Sequence, residues 1–217
     1  MVEVSQAAYF GTRFRPDKRR TDLWRALYRH FFAPLIAPTD CVLELGAGYG
    51  SFINEVSARR RIAVDSWEGF TETLQPGIEA HVGDAADLAF LEPASVNFVF
   101  ASNLFEHLSQ AALSAILAQL KGALAADGTL NIVQPNYYYC YREYFDDYTH
   151  TSVYSHVGLR DLLEANGYEV FDCRPRFLPL TIKSRLPVSE TLIRLYLALP
   201  IKPLGKQMFL RARPRRS

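Results

Sequence analysis

Short apolar runs recur along the chain, and each of them ends in polar or small residues. Runs of about four to eight residues bounded in this way are typical of buried strands. They lie at residues 41–45, 61–66, 79–84, 95–102, 128–134, 168–175 and 207–214. The pattern predicts a strand at each of these places.

Apolar residues spaced three or four positions apart separate many of these runs, as they do in amphipathic helices. The helices predicted from this spacing and from a last apolar stretch cover residues 21–35, 110–124, 156–166 and 189–199. Thr21, Ser109 and Ser155 stand where N-cap residues are expected. A further helix is expected to open at the far end of the glycine-rich turn at 46–52.

Strands that alternate with helices predict a parallel sheet, because parallel neighbours need a long crossover and that crossover is usually a helix. Right-handed crossovers leave little freedom in the topology. We therefore predict a doubly wound α/β fold. In such a sheet ligands bind at the carboxyl ends of the strands, so the residues that follow each strand carry the functional information.

The composition adds few constraints. The chain has 217 residues, 49% of them hydrophobic, and a formal net charge of +1. This balance argues against disorder and against a general electrostatic attraction to nucleic acid. Basic residues cluster at 12–20 and 211–217, where we predict solvated segments.

The three cysteines, Cys41, Cys140 and Cys173, form no CxxC pair, and their odd number argues against a disulfide framework. A reducing, cytoplasmic setting fits this usage. The first residues lack the basic start and long apolar run of a secretory signal. No apolar stretch reaches the roughly 20 residues that span a bilayer, so we expect no transmembrane segment. The apolar helix at 189–199 is expected to be buried in the domain, to cover the acceptor pocket, to form a dimer interface or to make a peripheral membrane contact.

The first predicted strand runs into the sequence ELGAGYG, which places Glu44 two residues before Gly46, followed by Gly48 and Gly50. Glycines at such a turn let backbone amides approach a ligand closely. A dinucleotide-binding GxGxxG turn would need a glycine at Ser51, and no Lys-Ser or Lys-Thr pair follows to complete a P-loop. The remaining pattern, in VLELGAGYG, resembles the first motif of the class I S-adenosylmethionine-dependent methyltransferases.

The ends of the next strands agree with this resemblance. In the family, an acidic residue at the position of Asp65 binds the ribose hydroxyls, the sequence GDA ending at Ala85 holds adenine, and a segment like FASNLFEHL lines the methionine end. The resemblance therefore implies S-adenosylmethionine as cofactor. The implied contacts are Glu44, Gly46, Ala47, Gly48, Gly50, Asp65, Ser66, Asp84, Ala85, Ser102, Asn103 and Leu104.

The same resemblance completes the predicted architecture. It implies a Rossmann-like, doubly wound sheet of seven strands, mostly parallel with the last strand antiparallel, and helices on both faces. We expect one domain over 1–217. It would comprise an N-terminal helical cap at 1–38, a cofactor-binding core at 39–135, and an acceptor-side loop with helices and the last strands at 136–217.

Methyl transfer requires that nucleophile, methyl and sulfur are aligned, which contributes roughly 7 to 11 kcal/mol. A hydroxyl acceptor also calls for a base, and histidine is the usual base near neutral pH. His107 and His150 are the catalytic candidates, with Asp147 as an orienting partner of His150 and packing in the cofactor pocket as the alternative role of His107. In the family, the loop after the fifth strand commonly covers the acceptor. The expected acceptor contacts are Asn136, Tyr144, Asp146, Asp147, Tyr148 and His156.

The sequence favours neither a metal nor a nucleic-acid acceptor. The strand ends at 102–103 and 134–136 supply few of the hard oxygen ligands that magnesium or calcium requires, so we predict no metal. The amino-methylating DNA enzymes carry Asn or Asp before PPY after the fourth strand, and NLFE lacks this pattern. We therefore expect no nucleic-acid partner.

The flanking segments are similar to small bacterial methyltransferases of glycan or secondary-metabolite pathways. We therefore predict O-methylation of a sugar, a glycan precursor or a related small molecule. Methylation at carbon or nitrogen is one alternative, and a catalytically silent S-adenosylmethionine-binding interaction protein is another. An NAD-dependent oxidoreductase is disfavoured by Ser51. Either a monomer or a homodimer agrees with the sequence.

Overall fold

A computed structural model describes residues 15–180 and 189–216. The beginning of the predicted helical cap, residues 1–14, lies outside the described residues. The same holds for residues 181–188 and for Ser217, the last residue of the second basic segment.

The described residues form one seven-stranded sheet in the order β3-β2-β1-β4-β5-β7-β6. Only β7 runs antiparallel to its neighbours, β5 and β6, among the described strand pairs. The predicted sheet with an antiparallel last strand is thus confirmed. The strands are β1 (Cys41–Leu45), β2 (Arg60–Asp65), β3 (Ile78–Val82), β4 (Val96–Ser102), β5 (Leu124–Pro135), β6 (Tyr168–Pro179) and β7 (Gly205–Pro214).

The strand order reverses between β1 and β4. The chain proceeds from β1 outward through β2 and β3, then returns to β4 on the other side of β1 and continues to β5. Crossovers that leave β1 and β4 in opposite directions open a crevice at the carboxyl ends of these two strands. This topology decides where a ligand can enter the sheet.

Five α-helices lie in the described residues, and two of the three predicted caps are confirmed. The Ala112 N–H donates to Ser109 Oγ at 3.2 Å, and the Gly158 N–H donates to Ser155 Oγ at 3.1 Å. These bonds satisfy backbone donors that a first helical turn otherwise leaves unpaired. The helices are α1 (Lys18–Leu27), α2 (Gln110–Ala123), α3 (Tyr137–Cys140), α4 (His156–Ala165) and α5 (Glu190–Ala198).

The start of the predicted helix at 21–35 was wrong, and the segment is not an α-helix over its whole length. Its N-cap is Asp17 rather than Thr21, because the Asp17 carboxylate accepts the Arg19 N–H at 2.9 Å. After α1 the chain widens into a π-helical turn at Tyr28–Phe32 and tightens into a 3₁₀ turn at Ala33–Leu35. Pro34, which has no N–H to donate, lies in that last turn.

The helix expected after the glycine-rich turn is also absent. Between β1 and β2, a segment described in full, the chain forms only a 3₁₀ turn at Ile53–Glu55. Val56 then takes an extended conformation with ψ 130°, which ends the turn before a helix can propagate. The crossover from β1 to β2 is consequently short.

Apolar side chains cover both faces of the sheet. One face packs against α2 and α4, and the other packs against α1 and the turns that follow it. The second face is rich in aromatic rings: Trp24 meets Phe100 edge-on at 5.5 Å, and Phe32 meets Phe52 at 5.4 Å between ring centroids. Edge-to-face pairs of this kind add to the stabilisation that burial alone provides. They hold α1 over the carboxyl end of β1.

The last helix, α5, has one packed side rather than an apolar surface buried all round. Ile193, Tyr196 and Leu197 are partly buried against the aromatic face, whereas Leu192 and Leu195 are about half exposed. The expectation that this helix is buried in the domain therefore holds for one side only. In the described part of the chain, no helix is both long and apolar enough to cross a membrane.

Candidate active site

A cavity of about 360 Å³ opens at the carboxyl ends of β1 to β4. This is the crevice that the reversal in strand order creates. Nearly all of the predicted cofactor contacts line it, although Gly50 lies in the same turn without reaching the wall. The lining residues among them are Glu44, Gly46, Ala47, Gly48, Asp65, Ser66, Asp84, Ala85, Ser102, Asn103 and Leu104.

The turn after β1 depends on glycine for its shape. Gly46, Gly48 and Gly50 have φ values of 66°, 54° and 64°, a left-handed region that costs other residues energy. A Cβ added at Gly46 would also lie 3.0 Å from Leu104 Cδ1 on the facing strand end. The turn can therefore pass close to β4 and leave its backbone facing the cavity.

Glu44 stabilises this turn through a hydrogen bond from the backbone that follows it. Its side chain is buried, and Oε2 accepts the Ile53 N–H at 3.0 Å. Burial raises the pKa of Glu44 well above its ordinary value, the Ile53 N–H lowers it, and the nearby Asp65 carboxylate raises it. The carboxyl group fastens the far end of the glycine turn to β1.

Asp65 joins the turn to the end of β2. Its Oδ2 accepts the Gly48 N–H at 2.8 Å, and its Oδ1 accepts the Trp67 N–H at 2.8 Å. Burial raises the pKa of Asp65, and these backbone donors oppose that rise. A carboxylate has about four lone-pair positions. Asp65 also lines the cavity, so the acceptor capacity that its backbone donors leave is available to a ligand there.

The ends of β3 and β4 complete the cofactor side of the cavity. The Ala86 N–H donates to Asp84 Oδ1 at 2.8 Å, which shapes the turn after β3. Asn103 has a left-handed φ of 50° and donates its N–H to Val133 O at 2.8 Å. Asparagine tolerates this conformation better than most residues. The kink directs the following segment, with Leu104, along the cavity wall.

The cavity wall also includes His107 and Thr149, which lie far apart in sequence. Thr149 Oγ1 lies 2.6 Å from Asp147 Oδ1 and 3.0 Å from His107 Nδ1. The threonine hydroxyl has one proton, and the ionised carboxylate can only accept. The hydroxyl therefore donates to Asp147 and accepts from His107, which assigns the proton of His107 to Nδ1 and the lone pair to Nε2.

Burial lowers the pKa of His107 to about 4. The neighbouring His150 lowers it further, while Asp147 and the backbone of Thr149 oppose the change. His107 is therefore neutral at pH 7, in the tautomer that the contact with Thr149 specifies. The two imidazole rings are 4.9 Å apart between centroids and lie edge-to-face.

Glu106, which sequence reasoning did not select, belongs to the same cluster. Glu106, His107 and His150 each place one ligand-type atom within 4.8 Å of those of the other two. Glu106 is fully buried, and burial raises its pKa to about 8, with Asp147 adding to the rise. Its position beside His107 in FEHL was a visible signal, but only the fold could show that its side chain turns inward.

The predicted acceptor contacts lie away from the described cavity wall. Asn136 and Tyr144 are fully buried: Asn136 binds Pro175 O at 2.8 Å and His156 Nδ1 at 3.0 Å, and the Tyr144 hydroxyl donates to Ser152 O at 2.7 Å. Their role as acceptor contacts stays a prediction; in the structure their polar groups hold the loop to β6 and to itself. None of the six predicted contacts lies on the described cavity wall, although Asp147 reaches it through Thr149. Asp146 and Tyr148 are exposed to solvent, and His156 is partly exposed.

Several cavity residues were not predicted. Tyr49, Ser51 and Phe52 flank the glycines, so the motif itself could have indicated them. Arg20 and Trp24 come from α1, and their presence depends on how that helix packs. The full set of additional lining residues is Arg20, Trp24, Tyr49, Ser51, Phe52, Val64, Gly83, Leu108 and Thr149.

A glycine turn fastened by Glu44, an acidic end of β2 and a cavity across β1 and β4 define the class I methyltransferase architecture. A family model described as a methyltransferase domain matches residues 17–172, well over half of the sequence. The chain belongs to this family: it is an S-adenosylmethionine-dependent methyltransferase, and its cofactor is S-adenosylmethionine.

Solved structures share the fold. An S-adenosylmethionine-dependent methyltransferase from Archaeoglobus fulgidus is 21% identical with a TM-score of 0.69, covering 96% of this chain and 99% of that chain. One from Mesorhizobium loti is 14% identical with a TM-score of 0.63, covering 87% and 97%. One from Thermotoga maritima, described as a "possible histamine N-methyltransferase", is 19% identical with a TM-score of 0.61, covering 90% and 93%. No curated protein matches the sequence.

Proposed function

We propose that this methyltransferase transfers the methyl group to a hydroxyl of a sugar, a glycan precursor or a related small molecule. The observation that carries the proposal is the hydrogen-bonded chain Asp147–Thr149–His107, of which Thr149 and His107 line the cavity wall next to Leu108. A hydroxyl must lose a proton as it is methylated, so a polar, titratable cluster at this wall suits an oxygen acceptor.

The cofactor supplies an electrophilic methyl on a sulfonium, and the chain supplies position. Asp65 and the turn around Gly48 are fastened to each other, so a ribose bound there has a fixed location relative to β4. Ser102, Asn103 and Leu104 then line the path toward His107. Alignment on such a rigid frame can contribute roughly 7 to 11 kcal/mol to the lowering of the barrier.

An alcohol benefits more from the cluster than a neutral amine does. A neutral amine attacks with a lone pair that it already presents, and its proton can leave afterwards. A sugar hydroxyl is a poor nucleophile until its proton is partly removed, and a positioned base contributes about 10² to 10⁴ in rate. His107 and His150 remain our candidates for that role, with Asp147 linked to His107 through Thr149.

The chemistry also suggests the partners and the setting. The acceptor is a small molecule or glycan rather than nucleic acid, and either a monomer or a homodimer would carry the site. In the structure Cys41, Cys140 and Cys173 are free thiols. This supports a reducing, cytoplasmic location as part of the proposal.

The test begins with cofactor binding. Calorimetry with S-adenosylmethionine and with NADH should show binding of the first only. The protein is then incubated with methyl-labelled S-adenosylmethionine and separate pools of sugars, nucleotide sugars, lipid-linked glycans, phenols and small amines. We expect label in a hydroxylated pool, recovered as a methyl ether.

The alternatives predict different results in the same assay. Label recovered on an amine or on carbon would replace O-methylation by the rival reaction. The name given to the Thermotoga maritima structure makes amines a necessary pool. Tight cofactor binding without label in any pool would favour the catalytically silent binding protein.

A further inference from the structure

The cluster of Glu106, His107 and His150 contains a buried polar group that the proposed methyl transfer does not explain. Glu106 is 0% exposed, and neither carboxylate oxygen has a hydrogen-bond partner among the described residues. Buried carboxyl groups of this kind are rare, and each calls for an explanation such as an ion. One ring nitrogen from each of two imidazoles lies within 4.8 Å of one of its oxygens.

The orientation of His107 is what a metal ligand needs. A ligating imidazole generally donates its other ring N–H to a nearby acceptor, which fixes the tautomer. His107 donates from Nδ1 to Thr149, which is itself held by Asp147, so Nε2 is the nitrogen with the lone pair.

The loop that carries His150 is fastened to the segment that carries Glu106. The Thr151 and Ser152 N–H groups both donate to the Glu106 carbonyl, at 2.9 and 3.0 Å. Ser152 Oγ also donates to Leu108 O at 2.5 Å. These bonds hold residues from two distant parts of the sequence in one arrangement before any ligand arrives.

We propose that Glu106, His107 and His150 bind a divalent first-row transition ion at the cavity wall. Two imidazoles and one carboxylate are ligands that such ions share in proteins, with further positions left for water or substrate. Magnesium and calcium prefer oxygen ligands and suit this set less well. Tetrahedral ligands about 2.1 Å from one ion lie about 3.4 Å apart, so the ligand atoms, which now lie within 4.8 Å of one another, have to approach by up to about 1.4 Å through side-chain movement.

The proposed role of the ion rests on the proposed O-methylation. His107 lines the cavity, so an acceptor hydroxyl could complete the coordination of the ion and lose its proton to water more readily. The oxygen then forms the bond to the methyl carbon, and the electron pair of the C–S bond passes to sulfur. The products are the methyl ether, S-adenosylhomocysteine and one proton. This role makes the chemistry metal-assisted, in contrast to the expectation from the strand ends, and it replaces the base role proposed for His107 and His150, because their lone pairs then bind the ion.

Cobalt(II) is a suitable probe because its visible spectrum reports its coordination. The full chain is treated with a chelator, the chelator is removed, and Co²⁺ is titrated with absorption and calorimetric detection. We expect one Co²⁺ per chain, visible bands of nitrogen and oxygen coordination, and competition by Zn²⁺ and Mn²⁺. Absence of binding below about 1 mM, a weak limit on the affinity scale, overturns the site.

Matched variants locate the ion. Glu106→Gln keeps the shape of the side chain and removes its charge, so the dissociation constant for Co²⁺ should rise at least about 10-fold. Glu190→Gln is the control, because Glu190 also contacts a histidine, His30, at 2.9 Å, but on the surface. If Glu106→Gln does not fold, His150→Ala in the partly exposed loop serves instead. Equal affinities in the wild type and in a folded cluster variant overturn the assignment.

Turnover separates this inference from the proposed function. Methylation of a hydroxyl that needs no ion, in a protein that binds no Co²⁺, removes the metal site and leaves O-methylation standing. Binding of Co²⁺ that depends on Glu106, without methylation of any hydroxylated pool, supports the site and removes the acceptor class. Loss of turnover on chelation, with recovery in Mn²⁺ or Co²⁺ and unchanged S-adenosylmethionine affinity, supports both.

Discussion

A side chain that shapes a backbone turn can also receive a ligand, and Asp65 is placed to do both. Its two oxygens accept backbone N–H groups from Gly48 and Trp67, and the side chain lines the cavity. The backbone bonds set the orientation of the carboxylate, so its other lone pairs point in a fixed direction. Preorganisation of this kind reduces the entropy that binding must overcome.

Asp65→Asn should weaken S-adenosylmethionine binding by about 5- to 30-fold, because each of one or two hydrogen bonds from the ribose to a charged acceptor is stronger than one to a neutral amide by roughly 1 kcal/mol. Calorimetric titration measures the change. Asp161→Asn, on the exposed side of α4, is the control and should leave the dissociation constant as it is. Equal affinity in the wild type and Asp65→Asn would remove Asp65 from the cofactor site.

Glu44 makes stability depend on pH. Its folded-state pKa is raised by burial above the ordinary 4.5, so above pH 4.5 the unfolded chain releases a proton that the folded chain retains. Stability from this group is therefore greatest at low pH and falls as pH rises toward the folded-state pKa. Glu44→Gln lacks this dependence while its amide oxygen can still accept from Ile53.

The measurement is denaturant unfolding of both proteins between pH 5 and pH 9. The unfolding free energy of the wild type minus that of Glu44→Gln should decrease steadily with pH. Glu79→Gln is the control: Arg60 lowers the pKa of Glu79, so this carboxyl is ionised in both the folded and the unfolded chain above about pH 5, and its contribution should be constant over the range. A difference between wild type and Glu44→Gln that is constant over the range would contradict a raised pKa at Glu44.

At the scale of elements, the most predictable helices are those whose start is determined locally. The side chains of Ser109 and Ser155 each accept a backbone N–H three residues ahead, and this needs no distant contact. The helix expected after the glycine turn fails because Val56 is extended and Glu44 fastens the turn to β1. Local signals are decisive only where tertiary contacts do not compete with them.

Ser109→Ala should lower the unfolding free energy by about 1 kcal/mol, because the Ala112 N–H loses its acceptor. Urea unfolding gives the value. Ser114→Ala in the middle of the same helix is the matched control, where alanine's higher helix propensity should leave stability equal or slightly greater. A loss at Ser114 as large as that at Ser109 would show that packing, rather than capping, is responsible.

At the scale of the whole molecule, the reversal of strand order between β1 and β4 joins residues that are distant in sequence. It creates one crevice whose wall joins the predicted cofactor contacts with His107 and Thr149. The aromatic contacts of Trp24 and Phe32 place α1 over the same crevice. The methyltransferase site is thus a consequence of topology, assembled from short segments that are separately unremarkable.

The sequence by itself determined the strands, the doubly wound fold and most of the strand-end residues that line the cavity. It could do so because strand periodicity, helix caps and the turn from Gly46 to Gly50 are local properties of the sequence. In addition, the carboxyl ends of parallel strands lie at the same edge of a sheet. Asp65 and Asp84 could be found by counting strand ends.

Only the tertiary structure decided the rest of the site. Tyr144 and Asn136 look like polar surface residues in sequence, yet both are fully buried. Glu106 and His150 are distant in sequence, and their meeting depends on a loop held by bonds to the Glu106 carbonyl. Burial and long-range proximity follow from how the whole chain closes, and no local pattern records that closure.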